Sequence, residues 1–323
     1  MKIRVAVNGY GNLGRGVISA LSLCPDMELV CVFTRRDPKS IPVTVPVVSV
    51  ANAPAWADKV DVCILCGGSA TDLPEQGPAF AQFFNTIDSF DTHARIPEYF
   101  AAMDAALKAA GHIGILSVGW DPGLFSVNRM MSTAILPKGE NYTFWGQGVS
   151  QGHSDAIRRI PGVRLAVQYT VPVQAAVEAV RSGLCPVLTT REKHTRECFI
   201  VLEDGADAKA VEQAIVTMPN YFSDYDTTVN FIDEATFKRD HTSMPHGGFV
   251  LRSGHTGDGG TQMIEYALKL ASNPSFTGSV LVAYARAATK LAASGETGAR
   301  TVFDIAPALL SPKSGEELRR TLL

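Results

Sequence analysis

The chain has 323 residues, 46% hydrophobic and 19% charged, which is the composition of a globular protein long enough for two domains. Its 29 Lys and Arg against 32 Asp and Glu give a formal net charge of −3, with the cations dispersed apart from short clusters, which argues against a nucleic-acid partner. A first β-rich run starts within a few residues of Met1 and no apolar stretch reaches about 18 residues, so neither a leader segment nor a membrane span is expected, and a cytoplasmic location follows by elimination.

In chain order, Lys2–Val7 reads as a strand, a glycine loop follows, Val17–Leu23 has helical spacing, and Met27–Thr34 is a second strand, which together make a βαβ opening. Val60–Cys66 is another strand, Leu73–Phe84 a helix, Asn85–Asp88 a short strand, Pro97–Ala110 a helix with proline at its first position, and Ile113–Val118 a further strand. Strands alternating with helices predict an α/β fold, a doubly wound parallel sheet of Rossmann type over residues 1–118. After Gly119 the β-rich segments Asn141–Trp145, Val163–Val171, Thr195–Leu202 and Thr227–Ile232 are separated by longer connections. They predict a second, α+β domain over 119–260 with a mixed or antiparallel sheet. Gly260–Ala271 and Ser279–Ser294 read as helices, so 261–323 is expected to be helical and to pack back toward the first domain.

Of the six cysteines, Cys63 and Cys66 form a C-x-x-C, a pattern that can bind a metal. They lie in the apolar run Val60–Cys66, and positions three apart on a strand face opposite sides of a sheet. These sulfurs are therefore expected to serve the core, and no metal site is expected.

Gly9-Tyr10-Gly11-Asn12-Leu13-Gly14 is a G-x-G-x-x-G placed between a strand and a helix. The first glycine permits the turn, the second lets a pyrophosphate approach the backbone, and the third allows helix and strand to pack closely. The helix N-terminus then offers free N–H groups and a positive dipole end to the phosphates. An NAD-binding protein usually carries Asp or Glu about 20 residues further on to accept the ribose 2′-OH. Here the second strand ends in Thr34-Arg35-Arg36, which suits the 2′-phosphate of NADP. A solvated turn is the alternative for the arginine pair, and Asp37 must point away from the phosphate.

The glycine loop, Gly68-Ser69-Ala70-Thr71-Asp72, Gly119-Trp120-Asp121-Pro122-Gly123, Thr143-Phe144-Trp145-Gly146, Ser150–Asp155, Arg158–Val163, Val229–Glu234 and Met244-Pro245-His246-Gly247-Gly248 occur in one order from about Ile3 to Pro312. In these motifs the chain resembles the meso-diaminopimelate dehydrogenases. The resemblance implies NADP-dependent, reversible oxidative deamination of the D-centre of meso-2,6-diaminopimelate, within lysine and cell-wall precursor metabolism. It also implies a homodimer, with the second domain serving substrate binding and dimerisation. Cofactor contacts are implied for Gly9, Tyr10, Gly11, Asn12, Leu13, Thr34, Arg35, Arg36, Gly67, Gly68, Ser69, Ala70, Asp91, Trp120, Asp121 and Pro122.

The implied substrate has an ammonium and a carboxylate at each end, so it calls for Asp or neutral oxygens and for Arg, hydroxyl or amide donors. The resemblance places Asp91 and Asp121 near the reacting amine as catalytic candidates, with Trp120, Trp145, Gln151 and Gly152 around them. It places Thr170, Arg196, His246 and Asn273 at the distal L-centre. Each has a bland alternative: Asp121 as a turn cap before Pro122, Asp91 as a loop Asx residue, His246 as a core histidine, and Arg196 as part of the solvated stretch Arg191–Glu197. The segments 41–57 and 183–195 carry no motif. A homoserine-type or sugar-type dehydrogenase would share the first domain but not the second constellation, and a non-catalytic NADP sensor would need none of it.

Overall fold

The computed structural model describes residues 2–323. Its strands in chain order are β1 (Ile3–Asn8), β2 (Met27–Thr34), β3 (Val47–Ser49), β4 (Val62–Leu65), β5 (Asn85–Asp88), β6 (Ile113–Leu116), β7 (Gly139–Trp145), β8 (Gly148–Val149), β9 (Val163–Pro172), β10 (His194–Leu202), β11 (Asp226–Phe231), β12 (His246–His255), β13 (Thr261–Leu270) and β14 (Gly298–Thr301). Contacts group the chain into two units: one runs up to Val127 and resumes at Pro274–Leu323, and the other is Asn128–Asn273.

The first unit is a seven-stranded parallel sheet in the order β14-β6-β5-β4-β1-β2-β3. Its central strand β4 is apolar throughout because both faces are covered. Val5, Val7, Val62, Ile64 and Ile115 pack on one face with Leu281 and Ala285 of helix Asn273–Ala293. Ala6, Phe33, Cys63 and Leu65 pack on the other with Phe80, Tyr99 and Met103. Cys63 belongs to the second core while Cys66 packs against the first, so the two sulfurs do sit on opposite faces. Burial pushes the Cys66 thiol up to about 12 and raises Cys63 as well, the reverse of what a metal ligand needs. The chain reverses direction of winding between β1 and β4, and in such sheets ligands bind at the C-terminal ends of the strands near that point. The glycine loop, Arg35, Gly67–Ala70, Asp91 and the 119–122 turn all follow those strand ends.

The second unit carries two sheets. One has the order β11-β10-β9-β8, with β10 and β11 parallel and the other pairs antiparallel; the other is an antiparallel β13-β12-β7. Helices Gln151–Arg158 and Ala208–Val216 cover one face of the first sheet through Ile157, Val211 and Ile215 on Cys198 and Ile200.

The helix expected over Gly260–Ala271 is instead strand β13, paired along its whole length with β12. Its exposure alternates, with Ile264, Tyr266, Leu268 and Leu270 more buried and Glu265, Ala267 and Lys269 exposed. That period of two outweighs the fair helix propensity of Met, Glu, Ala, Leu and Lys. The contact units divide at Val127/Asn128 and Asn273/Pro274, whereas the sequence suggests domain bounds at 118/119 and 260/261. The short strands β3, β8 and β14 have no counterpart in the expected elements; β14 extends the first sheet by pairing with β6.

Candidate active site

The glycine loop closes by contacts that only glycine allows. Gly9 has φ +105°, and a Cβ on Gly14 would lie 2.0 Å from the Gly9 carbonyl oxygen. At Gly11 nothing lies within 4 Å of a Cβ, so the missing side chain leaves open space for a ligand rather than relieving an internal clash. Gly11 also caps helix Asn12–Leu21 without a side-chain hydrogen bond, which leaves that terminus to an anion. A cleft of about 310 Å³ opens here, lined by Gly9, Tyr10, Gly11, Thr34, Arg35, Arg36 and Gly67 among the expected residues. Leu13 turns toward the core instead. These features fit a dinucleotide phosphate: a bare backbone, a helix N-terminus and two guanidiniums.

Arg35 Nη1 lies 2.8 Å from Asp72, whose carboxylate also accepts the Gly68 N–H at 2.9 Å. The Gly68 N–H and then Arg35 hold the Asp72 carboxyl below its ordinary range. Arg36 Nη2 donates to the Tyr10 carbonyl at 2.7 Å, and its backbone N–H donates to Thr34 Oγ1 at 3.1 Å. Asp37 accepts from the Lys39 N–H at 3.0 Å and caps the turn Pro38–Ser40, so its carboxylate serves its own loop. Asp72, Asn8 and Gln76 line the same cleft and were not foreseen; Asn8 and Gln76 are joined by a 3.0 Å hydrogen bond.

Asp91 is exposed on the loop after β5. Ser69 Oγ accepts both the Asp91 and Thr92 N–H groups, at 2.8 and 3.1 Å, which ties that loop to the Gly67–Ala70 loop. Trp120, Asp121 and Pro122 stand in a turn after β6. Gly123, at φ +133°, closes the turn so tightly that a Cβ would lie 1.8 Å from the Gly119 oxygen. Trp120 is buried edge-on against Phe125, and Asp121 and Pro122 are half-buried.

In the second unit, strand register builds a row across the sheet: Gly148, Thr170, Arg196 and Thr227 pair in succession on β8, β9, β10 and β11. Arg196 is 6% exposed, so it is not part of a solvated face. Its guanidinium donates to Thr170 Oγ1 and lies 3.8 Å over the Tyr225 ring. Its Nε has no partner, and it forms no ion pair with any described carboxylate. Burial lowers its proton affinity below that of an ordinary arginine. Gln168 Oε1 and Thr227 Oγ1, also buried, lack partners too. The His246 ring fits over Gly148, where a Cβ would come within 2.5 Å of it. Met244 gathers two more residues, accepting from Gln151 Nε2 through its sulfur at 3.3 Å and from the Asn273 N–H through its carbonyl at 3.0 Å. His194 Nε2 accepts the Trp145 N–H at 2.8 Å, which keeps that nitrogen unprotonated. Burial first, and Arg196 second, push both His153 and His194 down to about 4. Gly152 is exposed, with nothing within 4 Å of a Cβ.

A family model described as diaminopimelic acid dehydrogenase C-terminal domain matches residues 119–272. Over its full length the chain is 64% identical to the meso-diaminopimelate D-dehydrogenase of Ureibacillus thermosphaericus, covering 99% of that protein. The chain belongs to the meso-diaminopimelate D-dehydrogenase family. Among solved structures, the Corynebacterium glutamicum enzyme in complex with diaminopimelate superposes with a TM-score of 0.93 at 50% identity, covering 100% of this chain and 99% of the other. An engineered D-amino acid dehydrogenase bound to NADP+ gives 0.88 at 48% identity, with both chains covered in full.

For a member of this family the sequence reading missed mainly residues that act on other residues. Tyr225 lies under Arg196, His194 holds the Trp145 backbone, and Met244 joins Gln151 to Asn273. Tyr225 and His194 lie outside the motifs, and Met244 opens one of them without a side chain that advertises a role. Their contacts join segments far apart in the chain, which no local pattern encodes.

Proposed function

We infer that the protein catalyses oxidative deamination of the D-centre of meso-2,6-diaminopimelate with NADP+ and water, releasing L-2-amino-6-oxopimelate, ammonia and NADPH. Arg196 carries the reading: a buried guanidinium with an unpartnered Nε and no carboxylate partner calls for an anionic ligand, and a substrate carboxylate supplies one. Thr170, His246 and Asn273 complete the grip on the distal L-centre. Asp91 and Asp121 position the reacting amine, accept its proton and relay it, while Trp120, Trp145, Gln151 and Gly152 shape that end. Gly9–Asn12, Thr34, Arg35, Arg36, Gly67–Ala70 and Pro122 hold NADP, with Leu13 offering only its backbone, and the nicotinamide accepts the hydride. With the hydride gone, the substrate is an iminium that water converts to the carbonyl.

A homodimer belongs to the same proposal. The second unit offers a groove of about 1040 Å³ lined by Tyr169, Phe199, Phe249 and His241, an apolar surface of the kind that marks interfaces. All six cysteines are free thiols, which suits a reducing cytoplasm. The deciding assay follows NADPH formation with the meso and LL isomers of diaminopimelate across pH. Turnover should be confined to the meso isomer and should quicken toward alkaline pH as the amine loses its proton. Equal rates with both isomers would sink the reading.

A further inference from the structure

Asp88 ends β5 and is wholly buried, yet it carries no cofactor or substrate role in the reading above. Its Oδ1 accepts the Phe90 N–H at 3.0 Å and the Ser117 N–H at 3.2 Å, and its Oδ2 accepts the Tyr99 hydroxyl at 2.9 Å. Its backbone oxygen accepts the Val118 N–H at 2.9 Å. Phe90 is the residue before Asp91, and Ser117–Val118 leads into the turn that carries Trp120 and Asp121. Ser117 itself has φ +54°, a conformation that a non-glycine residue keeps only when its surroundings hold it there. The third partner is equally fixed: Tyr99, on helix Ile96–Ala110, stacks on Phe90 at 4.1 Å, and a Cβ on Gly77 would lie 2.3 Å from its hydroxyl.

We propose that Asp88 is a positioning residue whose carboxylate joins the Asp91 loop to the Asp121 turn and sets their spacing for the reacting amine. The proposal rests on the reading of Asp91 and Asp121 given above. All three groups facing the carboxylate are donors, so the ionised form satisfies each of them and an apolar replacement strands them in the core. Burial pushes this carboxyl up to about 6, and the three donors pull against that rise. The joint is thus held by hydrogen bonds alone, with no cation.

The test compares Asp88→Asn, Asp88→Ala and Tyr99→Phe by steady-state kinetics with meso-diaminopimelate, NADP+ titration and thermal melting. Asn can accept both N–H groups through its oxygen and donate to the Tyr99 oxygen, so kcat should stay within about tenfold of wild type. Asp88→Ala should lose about a hundredfold or more in kcat, equivalent to ~2.7 kcal/mol at 1.36 per decade. KM for the substrate and affinity for NADP+ should stay within about threefold, because the phosphate cleft is built by other strand ends. Tyr99→Phe should lower kcat about threefold to tenfold with NADP+ affinity unchanged, and it carries the test if the Ala variant does not fold. A folded Asp88→Ala variant with wild-type kcat, a wild-type Tyr99→Phe, or losses of kcat and NADP+ affinity in step with melting would overturn the proposal. Asp91→Asn and Asp121→Asn run in parallel separate the two readings. Full activity in both removes the reading beneath, whereas a loss there with none in Asp88→Ala removes only this inference.

Discussion

The two units present their cations in opposite ways. In the first, Arg35 is 65% exposed and already paired with Asp72, and Arg36 is exposed and bound to the Tyr10 carbonyl. In the second, Arg196 is 6% exposed with only Thr170 and the Tyr225 ring for company. An exposed guanidinium costs the fold almost nothing, and its surface contacts are weak enough to be exchanged for a phosphate. A buried one without a carboxylate is held at a cost to stability, and the gain appears only when an anion arrives. Under the proposed function, the first arrangement would serve the cofactor and the second one end of the substrate.

The strongest way to break this comparison is Arg196→Met. Turnover of meso-diaminopimelate should fall by about two to four orders of magnitude, in line with roughly 3–5 kcal/mol for a buried charged contact. NADP+ binding should survive, and the ligand-free protein should melt no lower than wild type, since an unpaired buried cation has been replaced by an apolar chain of similar length. A near-wild-type kcat/KM would remove Arg196 from the site, and a large drop in melting temperature would show that the buried charge stabilises the fold.

Next in size is the exposed pair. Arg35→Gln with Arg36→Gln should weaken NADP+ by about a hundredfold or more, taking roughly 1.5–3 kcal/mol for each charge-assisted bond. NAD+ affinity should change by less than about threefold, because the pyrophosphate still meets Gly9–Gly14, and melting should be unaffected. Titration of both nucleotides decides it; tighter wild-type binding of NAD+ than NADP+ would overturn the assignment.

The same contrast explains what could be read from the sequence. The cofactor loop is local: strand, three glycines and helix follow one another, and each glycine answers a contact within the loop or an opening beside it. The sheet of the first unit was legible for the same reason, since each βαβ step repeats a short pattern. The second unit is assembled by register between strands far apart in the chain, so Arg196 read equally well as surface, and Tyr225, Thr227 and Gln168 gave no signal. β13 failed differently: residues with good helix propensity sat on a two-residue alternation that only the pairing with β12 makes decisive. Asp88 was placed correctly as the end of a strand, but its three donors come from two loops and a helix.

Acid should separate the units further. His153 and His194 are pushed from 6.5 down to about 4, so the unfolded chain takes up protons that the fold refuses between those values, and stability present above pH 6.5 is lost as pH falls toward 4. Asp88 has the opposite sign: its carboxyl rises from 3.8 to about 6, so over that window the fold binds the extra proton and stability falls as pH rises. Two histidines should outweigh one carboxyl, leaving a net loss of a few kcal/mol on acidification, at about 1.36 kcal/mol per pKa unit. Melting curves from about pH 7 to about pH 4.5 should show it, and His194→Gln should remove most of the net decline, because the remaining histidine is then nearly offset by Asp88. A flat profile in the wild type would mean that these rings are not held neutral.

The smallest expected effect is at Asp37, the acidic residue nearest the position where an NAD-specific protein accepts the ribose 2′-OH. Its carboxylate is engaged with the Lys39 N–H and caps the turn Pro38–Ser40, facing its own loop. Asp37→Asn keeps an oxygen for that N–H, so the cap should survive with a cost of a few tenths of a kcal/mol at most, and the arginines beside it should be left where they are. The ratio of NADP+ to NAD+ affinity should then move by less than about threefold, and upward if at all, since one negative charge near the 2′-phosphate has gone. A fall of more than about tenfold in NAD+ affinity, with NADP+ unchanged, would show that Asp37 turns into the ribose site when the smaller cofactor binds. The first unit would then hold a carboxylate that changes partners beside the two arginines, and its selectivity would come from competition between them.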